Sequence, residues 1–203
     1  MKRIIFGFMM MLGLLGLITG YGTAVASAHG KVLVAYFSRV DENYGVGYIT
    51  KGNTCIIAEM IARQTGADLF EIKKVGGYPA GYEECKPVAS REKALNARPE
   101  LTAQVENMAD YDVVFLGYPI WYGDAPMPVY SFLDSYDFSG KQIIPFCTHG
   151  GSGLSGTEQR LSLTCPNSKI MPGFAIAGET AQHNPEQAET QVSAWLKRIG
   201  MVE

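Results

Sequence analysis

The feature that most constrains the fold is a regular alternation of apolar and amphipathic segments that begins at Lys31. Residues 32–37 (VLVAYF) are continuously apolar, as expected of a strand that is buried on both faces. Residues 55–65 instead carry apolar side chains at helical spacing, and Gly66 follows them. Continued along the chain, the pattern predicts strands at 32–37, 68–74, 112–118, 141–148 and 170–177, helices at 55–65, 127–136, 154–163 and 185–199, and one or two helices within 82–108.

This order predicts an α/β fold in three layers, with one open five-stranded parallel sheet between two layers of helices. Ligands of such sheets bind beyond the carboxyl ends of the strands, where the strand order reverses. The loops after the first, third and fourth predicted strands are therefore the candidate functional loops.

The N-terminal residues 1–28 have the pattern of a secretory signal peptide. Lys2 and Arg3 precede an apolar stretch at 4–18, and small residues at 24–28 form two overlapping A-x-A cleavage sites. Cleavage there leaves one domain at 29–203 and places it in the periplasm or outside the cell. The alternative is an uncleaved membrane anchor, because the uncharged stretch 4–28 is long enough to span a bilayer.

Charge and cysteine content exclude some classes of partner. Without residues 1–28 the chain keeps 15 basic and 20 acidic side chains, a net charge of −5, and it has no basic run. We therefore expect no binding to nucleic acid and no stable membrane insertion after cleavage. The four cysteines show no metal-binding spacing, and two states remain open: a disulfide, with Cys55–Cys85 as the first pair to test, or buried free thiols.

The loop after the first strand carries features of an anion site. Ser38 ends the strand, and Gly52-Asn53-Thr54-Cys55 begins the following helix. Small polar side chains and free N–H groups at a helix start favour a bound anion. No G-K-[ST] sequence is present, so this loop is not an ATP-type phosphate loop.

The other two loops have compositions that core packing explains poorly. After the third strand, Pro119-Ile120-Trp121-Tyr122-Gly123 places two aromatic residues in a turn, where a flat ring can stack on a ligand. After the fourth strand, Thr148-His149-Gly150-Gly151-Ser152-Gly153 is rich in glycine, which lets backbone approach a ligand closely. His149 fits a ligand contact, a proton relay or a purely structural role in the loop.

Together, these three loops resemble the FMN-binding loops of flavodoxins, and the resemblance spans residues 31 to about 200. It implies a flavodoxin-like sheet in the order 2-1-3-4-5, non-covalently bound FMN and electron transfer with a redox partner protein or a small-molecule electron acceptor. It assigns Ser38, Gly52, Asn53, Thr54 and Cys55 to the phosphate end of FMN. It assigns the flavin ring to Pro119, Ile120, Trp121, Tyr122, Gly123, Thr148, His149, Gly150, Gly151, Ser152 and Gly153.

One departure from the flavodoxin pattern is an insertion at 39–50, where Arg39, Tyr44 or Tyr48 is expected to cover the site or to form a partner surface. The third loop also lacks the Asp and aromatic residue of many flavodoxins, which leaves one flavin face open. An FMN-dependent NAD(P)H reductase of quinones or nitro compounds is therefore an alternative to an electron carrier, and an FMN-free binding domain is a third reading.

Two other motifs give weaker alternatives. Residues 151–156 match the dinucleotide motif G-x-G-x-x-G, with Glu179 near the expected acidic position, but they follow the fourth strand and leave Trp121 unexplained. His149-Gly150-Gly151 is similar to a hydrolase oxyanion loop, but no G-x-S-x-G sequence accompanies it.

Overall fold

A parallel sheet forms the centre of the structure, a computed structural model that describes residues 30–203; the leader predicted at 1–28 lies outside the described residues. The strands are β1 (Lys31–Tyr36), β2 (Asp41–Asn43), β3 (Gly47–Ile49), β4 (Asp68–Glu71), β5 (Tyr111–Pro119), β6 (Gln142–His149), β7 (Lys169–Ile170) and β8 (Phe174–Ala177). The α-helices are α1 (Asn53–Thr65), α2 (Tyr82–Ala94), α3 (Met127–Asp134), α4 (Thr157–Thr164), α5 (Gly178–His183) and α6 (Pro185–Arg198).

The strand order confirms the predicted fold class. The sheet runs β4-β1-β5-β6-β7, and β8 also pairs with β6, so that β7 and β8 are two pieces of the fifth strand. All of these pairings are parallel, and Val34 in β1 lies opposite Leu69 of β4 and Phe115 of β5. If β7 and β8 are counted as one strand, the sheet has the order 2-1-3-4-5 along the chain. Successive strands are added on one side of β1 and then on the other, so the strand order reverses between β1 and β5.

Each face of the sheet carries its own apolar core. In β1, Val32, Val34 and Tyr36 belong to a cluster with side chains of α1 and α6, whereas Leu33 and Ala35 belong to a second cluster with side chains of α3 and α4. These five side chains are at most 7% exposed. Alternate residues of one strand are thus buried on opposite faces, which confirms the three-layer arrangement and explains the continuous apolar run.

Three local features differ from the predicted elements. The fifth strand is interrupted at 171–173, because Pro172 has no N–H to donate to the sheet. The insertion is an antiparallel hairpin of β2 and β3, and α5 is an additional short helix. Within 82–108 the structure has one α-helix, α2, which agrees with the one or two helices predicted there.

All four cysteines are free thiols, so the Cys55–Cys85 disulfide is absent and the open alternative of free thiols describes the chain. Burial raises the pKa of each of them, that of Cys147 to about 12. They are therefore protonated at neutral pH and poor nucleophiles.

Among the described residues, no helix has the length and apolar character needed to cross a membrane.

Candidate functional site

The three predicted loops meet at one cleft of about 800 Å³ beyond the carboxyl ends of the central strands. Trp121 and Asn53, which come from different loops, both lie in its wall. The loops after β5 and β6 are adjacent because Pro119 pairs with Thr148 in the sheet, and the N–H of Ile120 donates to the carbonyl of Thr148 at 2.9 Å. The predicted site residues that line the cleft are Asn53, Pro119, Ile120, Trp121, Tyr122, Gly123, Thr148, His149, Gly150, Gly151 and Ser152.

The other five predicted residues, Ser38, Gly52, Thr54, Cys55 and Gly153, are not part of the cleft wall. Thr54 and Thr148 are buried and join α1 to the end of β6 through their hydroxyl groups, 2.8 Å apart. Gly153 offers its carbonyl to the thiol of Cys147. Their contact with a ligand stays a prediction, and the structure gives Thr54 and Gly153 a local structural role.

The start of α1 is held by a side chain from the end of β1. Gly52 is at the N-cap position and has no side chain to cap the helix. Ser38 supplies the missing acceptor, since its Oγ accepts the N–H of Cys55 at 3.0 Å. The first two N–H groups of the helix, those of Asn53 and Thr54, have no acceptor among residues 30–203, so they stay available to an anion.

Asn53 is the polar side chain at the junction of α1 and α5. Its Oδ1 is buried and has no hydrogen-bond partner within the described part of the chain. A Cβ on Gly178 would lie 2.3 Å from Asn53 Nδ2, so a side chain at position 178 would displace the Asn53 amide. A half-turn of the carboxamide presents NH2 in place of oxygen, so Asn53 can meet either a donor or an acceptor of a ligand.

Trp121 stands in a tight turn and is anchored from behind. Its ring makes edge-to-face contacts with Phe37 (centroids 5.4 Å apart) and Tyr78 (5.1 Å). The N–H and carbonyl of Trp121 pair with those of Asp124, and the two residues between them, Tyr122 and Gly123, have φ of +51° and +73°. Both the structural role and the ligand role of Trp121 therefore have support: its ring is held by the core and also forms part of the cleft wall.

The surroundings of His149 favour the neutral imidazole. Its Nδ1 accepts the N–H of Gly151 at 2.9 Å, which leaves the ring proton on Nε2. Partial burial lowers the pKa of the imidazole below its ordinary value of 6.5. His149 thus fixes the glycine-rich loop and offers one N–H donor at the cleft.

The hairpin of β2 and β3 reaches across the cleft. A Cβ on Gly150 would lie 2.8 Å from the ring of Tyr44, which places the hairpin tip directly against the loop after β6. At the base of the hairpin, Arg39 Nη2 donates to the carbonyls of Pro79 (2.6 Å) and Ala80 (2.7 Å). The predicted covering role of the insertion therefore has a geometric basis in Tyr44 and Arg39.

The sequence reasoning missed one wall of the cleft, the face of α2 with Tyr82, Cys85, Lys86 and Ala89. This helix follows β4, whose carboxyl end lies at the same edge of the sheet as those of β1 and β5. The loop after the second strand was a usable signal, but its residues carry no motif. The end of β8 and the start of α5 also contribute, through Ala177, Gly178 and Glu179.

The fold and the cleft define a doubly wound α/β protein with a binding site where the strand order reverses. A family model described as Flavodoxin matches residues 31–199, and the chain belongs to the flavodoxin family. This membership confirms the resemblance that the three loops predicted. No curated protein matches the chain.

Solved structures agree with this assignment. A flavoprotein from Bacteroides eggerthii is 29% identical over 84% of this chain and 98% of its own, with a TM-score of 0.67. A flavoprotein from Bacteroides uniformis is also 29% identical, over 83% of this chain and 98% of its own, with a TM-score of 0.65. A Lactobacillus acidophilus flavoprotein in complex with FMN shares the fold at 20% identity and a TM-score of 0.58, over 74% of this chain and 95% of its own.

Proposed function

We propose that the chain binds FMN in this cleft and works in electron transfer. The observation that carries the proposal is the convergence of three loops, one with a helix N-terminus, one with an aromatic turn and one rich in glycine, on a single cleft. Its volume is within the range of small-molecule and cofactor sites. FMN, when bound, takes up and releases one or two electrons.

The start of α1 fits the phosphate of FMN. The N–H groups of Asn53 and Thr54 lack acceptors among the described residues, and the positive end of the helix dipole favours a dianion there. The hydroxyl of Ser38 already accepts from Cys55 but keeps its proton for a phosphate oxygen. The amide of Asn53, whose Oδ1 has no partner in residues 30–203, can turn and donate from Nδ2 to a phosphate oxygen.

The loops after β5 and β6 fit the planar ring. Trp121 presents a held aromatic side chain, and His149 presents its Nε2 donor. Gly151, which lies in the cleft wall, has φ of +122°, a value that other residues rarely adopt, so the loop can pass close to a ligand there.

The phosphate assignment is tested by replacing Asn53 with leucine, which has a similar size and no polar atom. We expect Asn53→Leu to weaken FMN binding about tenfold, because a hydrogen bond to a charged group is lost. Riboflavin has no phosphate, so its affinity should change little. Titration of the apoprotein with each flavin, followed by flavin fluorescence, measures both values.

The matched control is Gln187→Leu, the same kind of change at an exposed position of α6 outside the cleft. It should leave both affinities unchanged. Equal losses for FMN and riboflavin in Asn53→Leu would place Asn53 away from the phosphate. Failure of the wild-type chain to bind FMN at all would contradict the proposed function itself.

We also propose that the protein acts outside the cytoplasm, either in the periplasm or beyond the cell. The support is the charged start, apolar stretch and small-residue exit of residues 1–28. Cell fractionation with N-terminal sequencing should find an exported chain that begins near residue 29. A cytoplasmic chain that keeps Met1 would contradict export, and an intact membrane-bound chain would favour the anchor.

A second candidate, an FMN-dependent NAD(P)H reductase, is favoured by the hairpin across the cleft. Tyr44 at the hairpin tip narrows the approach of a large partner, whereas a small acceptor can still enter. Anaerobic addition of NADH or NADPH to the FMN-loaded protein separates the candidates. Bleaching of the flavin band at catalytic rates supports the reductase, and an unchanged band supports a carrier.

A further inference from the structure

The cleft has a wall made of residues that the flavodoxin resemblance does not assign to FMN. It is formed by the hairpin residues Asn43 and Tyr44 and by the α2 residues Tyr82, Cys85, Lys86 and Ala89. We call the space beside these six residues the outer compartment. It adjoins the loops that fit FMN, because the Tyr44 ring lies against the position of Gly150 and the hydroxyl of Tyr122 donates to the carbonyl of Lys86 at 3.0 Å.

Two aromatic side chains frame the outer compartment. The rings of Tyr44 and Tyr82 lie 6.0 Å apart between centroids and are inclined by 40°. Tyr44 is 66% exposed, although its ring touches the position of Gly150, so much of its face is open to a ligand. Tyr82 is half-buried, and such a pair of rings in a cleft is a stacking surface for another flat ring.

The remaining lining is apolar with a cationic donor. Cys85 and Ala89 are buried, and burial keeps the thiol protonated by raising its pKa. Lys86 Nζ lies 5.5 Å from the centre of the Tyr82 ring and donates to both carboxylate oxygens of Glu83, at 2.9 and 3.0 Å. An ammonium group has three donors, so one is left for an oxygen atom of a ligand.

A second cation lies behind this surface. Arg39 is 91% buried, and its guanidinium donates to four backbone carbonyls within residues 30–203, those of Glu42, Pro79, Ala80 and Gly81. No carboxylate of residues 30–203 forms an ion pair with it, and its Nε has no partner there. Since Lys86 is paired with Glu83 and Glu42 Oε2 accepts the N–H of Tyr82, the charge of Arg39 is the one that favours an electron-rich oxygen atom here.

We propose that the outer compartment binds a planar aromatic small molecule that carries a carbonyl oxygen, with its ring on Tyr82 and Tyr44 and its oxygen at Lys86. The inference rests on the proposed function, because it names the class of small acceptor that enters beside the FMN site. Binding to the compartment is measurable without any turnover.

The probe is anthraquinone-2-sulfonate, which is flat, soluble and has two ring carbonyls. It is titrated by calorimetry into FMN-loaded protein in air, without a reductant. We expect saturable binding of one probe per chain with FMN retained. Tyr82→Leu should weaken it about fivefold through lost stacking, and Lys86→Met about threefold through a lost donor.

Lys73→Met is the matched control, since Lys73 is an exposed lysine paired with Glu71 and is not part of the cleft wall. It should bind the probe like the wild type. If Tyr82→Leu proves unfolded by circular dichroism, Tyr44→Leu at the exposed hairpin tip provides the stacking test. Each variant is used only after its FMN content is shown by absorbance.

The outcomes separate the two proposals. The proposal of an outer compartment is overturned if FMN-loaded wild type does not bind the probe. It is also overturned if Tyr82→Leu, Tyr44→Leu and Lys86→Met all bind the probe with wild-type affinity. Neither result affects the proposal that the chain binds FMN. Probe that binds only the apoprotein and is displaced by FMN also overturns the outer compartment, because the compartment is then part of the FMN site. Protein that never retains FMN contradicts the proposed function instead.

Discussion

Replacing Gly52 with alanine is expected to lower the free energy of unfolding by about 2 kcal/mol, the usual scale of overpacking. A Cβ at this position would lie 2.2 Å from Ser38 Oγ and 2.6 Å from the carbonyl oxygen of Arg39. The serine side chain can turn away, but the backbone oxygen cannot. The φ of Gly52 is −69°, which alanine adopts readily, so the effect is purely one of space.

The same substitution is expected to reduce FMN affinity by at least about tenfold, because the phosphate site loses its geometry. Moving Ser38 breaks the bond from the N–H of Cys55 and separates the end of β1 from the start of α1. Urea denaturation and FMN titration measure the two effects. The control is Thr50→Ala, an exposed neighbour in the same loop, which should change neither value appreciably. Near wild-type stability and affinity in Gly52→Ala would show that the close approach at Gly52 does not support the site.

The central strands were predictable because a strand that is buried on both faces has a continuous run of apolar residues. Residues 32–37 and 113–118 are continuously apolar, and the structure buries their side chains alternately against two layers of helices. The fifth strand was predicted as one piece because 170–177 is also mostly apolar. Pro172 interrupts it, since a residue without an N–H cannot complete the bond to β6.

The hairpin at 41–49 was not predicted as strands, because its sequence has no apolar alternation. It is held by contacts outside itself, notably from Arg39 to the carbonyls of Pro79 and Ala80 and from the N–H of Glu42 to Ala80 at 3.2 Å. Such partners are distant in sequence and cannot be inferred from local composition. The cleft wall formed by α2 was missed for the same reason. In the sequence, Tyr82 and Lys86 look like ordinary residues of an amphipathic helix, and nothing local shows that they face a cleft.

The cleft was predictable as a place, and the roles of individual residues less so. The rule that ligands bind beyond the strand ends predicted that Asn53, Trp121 and His149 lie close together, and all three line the same cleft. It did not distinguish residues that face the cleft from those that support it. Thr54 is an example, because its hydroxyl forms a hydrogen bond with the hydroxyl of Thr148, a residue 94 positions away in the sequence.

The second large effect is expected from Asp124→Ala, which should lower the free energy of unfolding by about 3 kcal/mol. Asp124 is 7% exposed, and its Oδ1 accepts from the N–H of Ala125 (2.8 Å), the hydroxyl of Tyr130 (2.7 Å) and Nε of Arg160 (2.9 Å). This one carboxylate thus joins the turn after β5 to α3 and α4. Without it, the buried Tyr130 hydroxyl has no acceptor there, which is costly.

The turn also needs Asp124 to keep its shape. Tyr122 has φ of +51°, a conformation that costs a residue with a side chain about 1 kcal/mol or more. It persists because Trp121 and Asp124 pair through their backbones and because Arg160 also donates to the carbonyls of Gly123 and Ser155. Loss of the carboxylate should let the turn relax, so Trp121 should lose its fixed position in the cleft wall.

Two further variants test whether burial of the Asp124 carboxylate is the cause of the expected loss of stability. Asp134→Ala removes another aspartate that pairs with an arginine, Arg98, but this side chain is 49% exposed, and its loss should cost at most about 1 kcal/mol. Tyr130→Phe removes one of the three donors to Asp124 and should cost about 1 kcal/mol. Urea denaturation ranks the three variants. Since Arg160 is 38% exposed and can be hydrated when its partner is lost, most of the cost of Asp124→Ala falls on the buried tyrosine and the strained turn. A loss in Asp124→Ala no larger than that in Asp134→Ala would mean that the turn holds its shape without this carboxylate.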